Sequence, residues 1–203
     1  MKDTRTRETG NMPPQEKPRE HAATEYTAAR TDDPRAGYEV LKRGAALVPR
    51  SGRIVLRLVG RDPVGMLNAI LTNQVAEEPN LGAYAALLNP KGRIQTDLRV
   101  LRSGEEVFID TEPEGSVTAR EILGRYAPFS RVEIEDLSTR DARWTILGLY
   151  GPGAPELLDD LRLAEHESAR IGVGGAILLA AGVALPVPGF DLLGPADALQ
   201  VAT

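Results

Sequence analysis

Two alternating runs separated by four turn-forming residues constrain this chain more than any other stretch. "AYAALL", Ala83 to Leu88, leads into Asn89-Pro90-Lys91-Gly92, and "RIQTDLRVL" follows. Pro90 presets φ for the second turn position and Gly92 tolerates a positive φ, so the segment predicts a β-hairpin. With a side-chain period of two, Ile94, Thr96, Leu98 and Val100 share one face of the second strand, and Arg93, Gln95, Asp97 and Arg99 share the other. Asp97 therefore sits between two arginines, with Lys91 close by in the turn. This polar face reads either as a site for an anionic ligand or as a solvated row of charges. In the second case each exposed pair is worth less than about 1 kcal/mol. The residues alone favour the solvated row.

Similar patterns surround the hairpin. "RIVLRLVG" alternates as a strand that Gly60 ends, and "DPVGMLNAILTNQV" opens a helix with Asp62 as N-cap and Pro63 at the first helical position. Val64, Leu67 and Leu71 fall on one face of that helix. "EEVFID" is a strand, and "SVTAREILGRY" is a helix capped by Ser116 or Thr118, with Thr118 and Glu121 spaced as a capping box. "RVEIEDL" and "RWTILGLYG" read as strands, "APELLDDLRL" as a helix, "GGAILLAAGVAL" and "GFDLLGP" as short strands, and "PADALQVAT" as the opening of a helix. Hairpins mixed with isolated helices indicate an α+β fold of antiparallel sheets with flanking helices.

Residues 1–36 mix both charge signs with several prolines and almost no large aliphatics, which predicts a disordered charged leader ahead of one folded domain at 37–203. Lys plus Arg total 24 against 29 Asp plus Glu, a net charge of -5, and such a balance argues against a dedicated nucleic-acid binder. No cysteine is present, and the two histidines, His21 and His166, lie far apart, so thiol chemistry is excluded and a histidine metal site is disfavoured. The uncharged run Ile171 to Phe190 holds five glycines and two prolines and reads as strand and turn, not as a membrane span. With no secretory h-region at the N-terminus, the expectation is a soluble cytoplasmic protein. "GVGGAI" neither follows a clear strand nor opens a helix, which removes it as a dinucleotide loop, and Asp159 with Asp160 reads as a solvated helix face.

Taken in order, "YEVLKRGAALVPRSGRIVLRLVGRDPVGMLNAILTNQV", "YAALLNPKGRIQTDLRVLR", "GRYAPFSRVEIEDLS" and "LGLYGPGAPELL" resemble the N-terminal half of the aminomethyltransferase superfamily. That superfamily includes the glycine cleavage T-protein and folate-binding relatives that support iron–sulfur cluster assembly. The resemblance implies the fold of the superfamily's N-terminal folate-binding domain and recognition of tetrahydrofolate. It also implies a catalytic role for Asp97 and a pocket-lining role for Tyr84, thirteen positions earlier. Thr72, Asn73 and Gln74 match the loop after the family's first helix and, with Arg99, complete the implied folate-contacting set. A T-protein-like activity would pass a one-carbon unit from a lipoyl carrier protein to folate. Thr96 stands where T-proteins usually carry an aspartate, and the cysteine motif of the cluster-assembly branch is missing. The resemblance further implies a truncated member of the family, which either binds folate alone with weakened affinity or is completed by a second polypeptide or by self-association. Three functions are open at this point: a folate binder, an active aminomethyltransferase, and an interaction module without ligand.

Overall fold

The computed structural model describes residues 33–50, 52–139, 143–183 and 185–200. Most of the predicted leader lies outside this range. Its last residues begin a helix, α1 (Pro34–Arg43), which Asp33 caps by accepting the N–H of Arg35. Strands β1 (Ala46–Pro49) and β2 (Ile54–Gly60) lead to α2 (Pro63–Ile70), where Asp62 is the N-cap, with Oδ1 accepting from the Gly65 N–H at 2.8 Å. Next come β3 (Ala83–Leu88), β4 (Ile94–Ser103), β5 (Glu106–Thr111), α3 (Pro113–Ser130), β6 (Val132–Asp136) and β7 (Trp144–Tyr150). A single 3-10 turn, Glu156–Leu158, then precedes β8 (Ser168–Val173), β9 (Ala176–Gly182), β10 (Gly189–Pro195) and α4 (Ala196–Gln200).

The strands form two five-stranded antiparallel sheets, ordered β3-β4-β5-β2-β6 and β1-β7-β10-β9-β8. Alternation along β4 explains the layering. Thr96, Leu98 and Val100 are buried toward the helices, where Leu98 and Val100 join Leu56, Leu58 and Ile109 in a core against Leu67 of α2 and Leu123 of α3. The opposite face of this first sheet packs on the second sheet, Val55, Leu101 and Phe108 meeting Ile146, Leu179 and Leu193. The far face of the second sheet buries Leu149, Leu178 and Leu192 against Leu158 and Leu199. Each such side chain contributes about 1.5–3 kcal/mol on removal from water.

Several local expectations change. α3 starts three residues before Ser116, at Pro113; its N-cap Glu112 makes no side-chain capping bond, and the Ser116 hydroxyl donates to the Pro113 carbonyl instead. A proline at the first helical position fixes φ without a side-chain cap. The helix expected over "APELLDDLRL" is only the 3-10 turn, because Asp159 and Asp160 both take positive φ, at 50° and 57°, and end it. Aspartate accepts that conformation more readily than most residues. "GVGGAI" does follow a strand, contrary to expectation: it closes β8 and turns into β9 as a hairpin, and it opens no helix.

Candidate ligand-binding site

The layer between the sheets changes character along its length. Period two carries β4 from Leu101 to Arg99 and Asp97, β5 from Phe108 to Asp110, β10 from Leu193 to Asp191, and β7 from Ile146 through Gly148 to Tyr150. At the apolar end these positions are core. At the other end they face each other as charges. Asp110 and Asp191 are 0% exposed, so each needs a partner inside the protein.

Arg99 is the partner both share. It donates from Nε to Asp110 at 2.7 Å, pairs with the same carboxylate through Nη2, and brings Nη2 to within 2.7 Å of Asp191, so one guanidinium links the two sheets. Burial alone would lower the pKa of Arg99, but Asp110 and Asp191 outweigh it and hold the side chain firmly charged. Arg53 pairs with Asp110 and Glu112. Arg50 reaches the Tyr150 hydroxyl at 3.3 Å and Asp191 at 3.5 Å. Tyr150 donates to Asp191; burial first, and that hydrogen bond second, push its pKa up to about 12. The ring of Tyr150 lies back over Gly148, where any Cβ would overlap it, so the glycine is what lets the hydroxyl reach Asp191.

This network forms one wall of a cavity of about 290 Å³ lined by Arg50, Arg53, Tyr84, Asp97, Leu98, Arg99, Glu112 and Val183. Asp97 differs from the other carboxylates here. Its hydrogen-bond partner is the phenol of Tyr84, and no ion pair engages it among the described residues. The hydrogen bond to Asp97, with a smaller effect of burial, raises the pKa of Tyr84, which remains 51% exposed at the cavity mouth. The Thr111 hydroxyl donates to the Asp97 carbonyl at 2.8 Å, which fixes the backbone beneath this carboxylate. Across Val183 a larger cavity of about 550 Å³ is lined mostly by apolar residues such as Leu161, Leu163 and Phe190, and it contains none of the residues singled out in the sequence.

Three sequence-derived candidates, Tyr84, Asp97 and Arg99, thus line one cavity. The arginines do not flank Asp97 in the expected way, since Arg99 is engaged by Asp110 and Asp191, and Lys91 and Arg93 stay exposed in the turn, where their N–H groups donate to Asn89 Oδ1. Thr72, Asn73 and Gln74 lie outside the cavity lining. They sheathe the open edge of β3 instead: the Ala86 N–H donates to Thr72 Oγ1 at 2.8 Å, Asn73 Nδ2 donates to the Tyr84 carbonyl at 3.1 Å, and the Gln74 N–H donates to Asn73 Oδ1 at 2.9 Å. Asn73 therefore steadies the strand that carries Tyr84. Sequence reasoning missed Arg50, Arg53, Asp110, Glu112, Tyr150 and Asp191. The available signal was a lone aspartate in each of the apolar runs "VFID" and "GFDLL", two residues from the core positions Phe108 and Leu193.

The family profile of the GCVT N-terminal domain matches residues 18–175. The chain belongs to this family. Among solved structures, the glycine cleavage system aminomethyltransferase T from Bartonella henselae superposes with a TM-score of 0.68 at 19% sequence identity, over 82% of this chain and 47% of that one. At that identity the likeness speaks for the fold: the paired antiparallel sheets with flanking helices are those of an aminomethyltransferase N-terminal domain. This GCVT-type chain spans about half the length of that enzyme. No curated protein gives a significant match. Among the described residues of the GCVT-type domain, no helix is long and apolar enough to cross a membrane, and no cluster of three or more His, Cys, Asp or Glu could hold a metal ion.

Proposed function

We infer that this GCVT-type domain binds tetrahydrofolate or a close derivative, with Asp97 as the residue that meets the reactive part of the ligand and Tyr84 as the aromatic wall beside it. One observation carries the reading. In a cavity where the other carboxylates are matched by arginines, the Asp97 carboxylate accepts, among the described residues, only from a phenol that a ligand can displace. A reduced pterin presents ring N–H and amine donors of the type such a carboxylate accepts, and the half-exposed Tyr84 ring offers a face for stacking. Thr72, Asn73 and Gln74 act in this reading through the β3 edge, by holding Tyr84 in place, and Arg99 acts by keeping the wall behind Asp97 rigid and charged.

Tetrahydrofolate supplies the ring amine that takes up a one-carbon unit. The chain's part is to position that amine and to place the Asp97 carboxylate against positive charge developing on it, in a cavity where such a pairing is stronger than in water. A ligand cavity normally covers roughly 70–90% of a small molecule. About 290 Å³ is room for the ring portion and leaves the remainder at the rim, which favours completion by a second polypeptide or by self-association over catalysis by this segment alone. Transfer from a lipoyl carrier protein is the activity that such a completed site would have.

Isothermal calorimetry with tetrahydrofolate tests the binding reading. Measurable heat with the parent and a loss of about tenfold or more with Asp97→Ala is the expected result, and no heat with either protein rejects it. Light scattering with and without tetrahydrofolate tests completion by self-association, since a ligand-saturated protein that stays monomeric argues against it.

A further inference from the structure

The three arginines of the cavity are not equivalent. Arg53 spends Nε on Asp110 and Nη1 on Glu112, and Arg99 spends Nε and Nη2 on Asp110 and Asp191. Their side chains are 10% and 15% exposed, against 33% for Arg50. The contacts Arg50 makes, at 3.3 Å and 3.5 Å, both use Nη1. They are long beside the roughly 2.7–2.9 Å of a good charge-assisted pair. Among the described residues, its Nε and Nη2 groups make no hydrogen bond. A guanidinium with those two groups free presents a fork suited to a carboxylate.

Its surroundings hold it for that purpose. The Arg50 N–H donates to the Ile146 carbonyl at 3.0 Å, which extends the β1–β7 pairing by one residue and fixes the base of the side chain. Tyr150, held over Gly148, accepts from Nη1 and so orients the other end. Asp191 is nearer to Arg99, at 2.7 Å, than to Arg50, at 3.5 Å, so its charge is drawn mainly to the former. Glu112, 55% exposed, stands beside Arg53 and repels a second anion there. An anionic group at the mouth of the cavity is thereby directed to Arg50.

We propose that Arg50 receives the anionic end of the ligand: the ring's N–H donors lie on Asp97 inside the cavity, and the carboxylate of the part left at the rim is gripped by the fork of the part-exposed Arg50. This rests on the folate reading above and names the residue that would set preference for the benzoylglutamate-bearing ligand over a bare pterin. Calorimetry on the parent, Arg50→Gln and Arg50→Lys with tetrahydrofolate and with tetrahydrobiopterin, which has no benzoylglutamate, separates the outcomes. Tetrahydrofolate affinity should fall about ten- to a hundredfold in Arg50→Gln and recover in part in Arg50→Lys, while the affinity for tetrahydrobiopterin stays within about twofold of the parent. The penalty should also shrink at high salt, as a charge-dependent contact requires. If tetrahydrobiopterin binding is too weak to follow, p-aminobenzoylglutamate should displace tetrahydrofolate from the parent at concentrations where it leaves the Arg50→Gln complex intact. Equal losses for both ligands would make Arg50 a structural residue, and no loss for either would remove it from the site; both results overturn the proposal while folate binding stands. A parent that binds neither ligand removes the folate reading itself.

Discussion

At one end of the layer between the sheets, Phe108 stacks on Trp144 with ring centroids 5.4 Å apart, among Val55, Leu101, Ile146 and Leu193. At the other end stand Asp110, Arg99 and Asp191, two residues further along the same strands, and Tyr150, four further along β7. The first end draws its stability from apolar area removed from water, which depends on volume and tolerates exchange among similar shapes. The second holds three charged groups whose desolvation is offset only while all are present. What the polar end adds is a fixed arrangement behind Asp97, at little net gain in stability.

Breaking the polar end should give the largest effect. Arg99→Met leaves Asp110 and Asp191 without their shared cation and is expected to cost about 3–5 kcal/mol in urea unfolding, comparable with Phe108→Ala at the apolar end. The two losses should differ in how they are repaired. Combining Arg99→Met with Asp110→Leu and Asp191→Leu should recover part of that loss, since apolar packing can replace a buried ion network, and the remainder reports Arg53 and Tyr150, which lose a partner in the triple variant. Ligand binding should stay lost in that triple variant. A triple variant as unstable as Arg99→Met would show that the network does contribute net stability.

Tyr150→Phe probes the same end through pH. With its folded pKa raised to about 12 from an ordinary value near 10, Tyr150 binds its proton more tightly when folded, so its contribution is complete below about pH 10 and is lost as pH rises toward 12. The parent should lose about 1–2 kcal/mol of stability over that interval beyond what Tyr150→Phe loses, read from urea midpoints at each pH. The smallest change in stability is expected for Asp97→Asn, within about 0.5 kcal/mol, because Asp97 pairs with a half-exposed phenol and, among the described residues, with no buried cation. Tetrahydrofolate affinity should nonetheless fall by tenfold or more in the same protein. A residue that matters to binding and hardly to folding would mark where the polar end stops supporting the fold and begins to serve a ligand.

Much of the fold could be read from local rules. The Asn89–Gly92 turn, the Asp62–Pro63 helix start and the alternation of β4 each depend on residues close in sequence, and all three form. The misses are tertiary. Nothing near Asp159 signals that Leu158 would be drawn into the core under the second sheet and the helix abandoned, and the arginine partners of Asp110 lie 57 and 11 residues away. The diagonal hydrogen bond of Tyr84 to Asp97 joins adjoining strands of one hairpin, whereas Tyr150 and Asp191 lie 41 residues apart in the chain. Period two puts Arg99 on the face of Asp97, but its charge partners are Asp110 on the adjoining strand and Asp191 on the opposing sheet, which no local pattern indicates.

Gly148 has a consequence for how such a sequence can drift. A side chain at this position overlaps the Tyr150 ring and would displace the hydroxyl from Asp191, so alanine at 148 conflicts with tyrosine at 150, and a small residue at 150 removes that clash. The order of substitution is thereby fixed: the tyrosine must go first, and only then can the glycine be released. A lineage that keeps the hydroxyl is locked to a residue with no functional group of its own, and the loss of that glycine in a relative would report that the hydroxyl had already been abandoned.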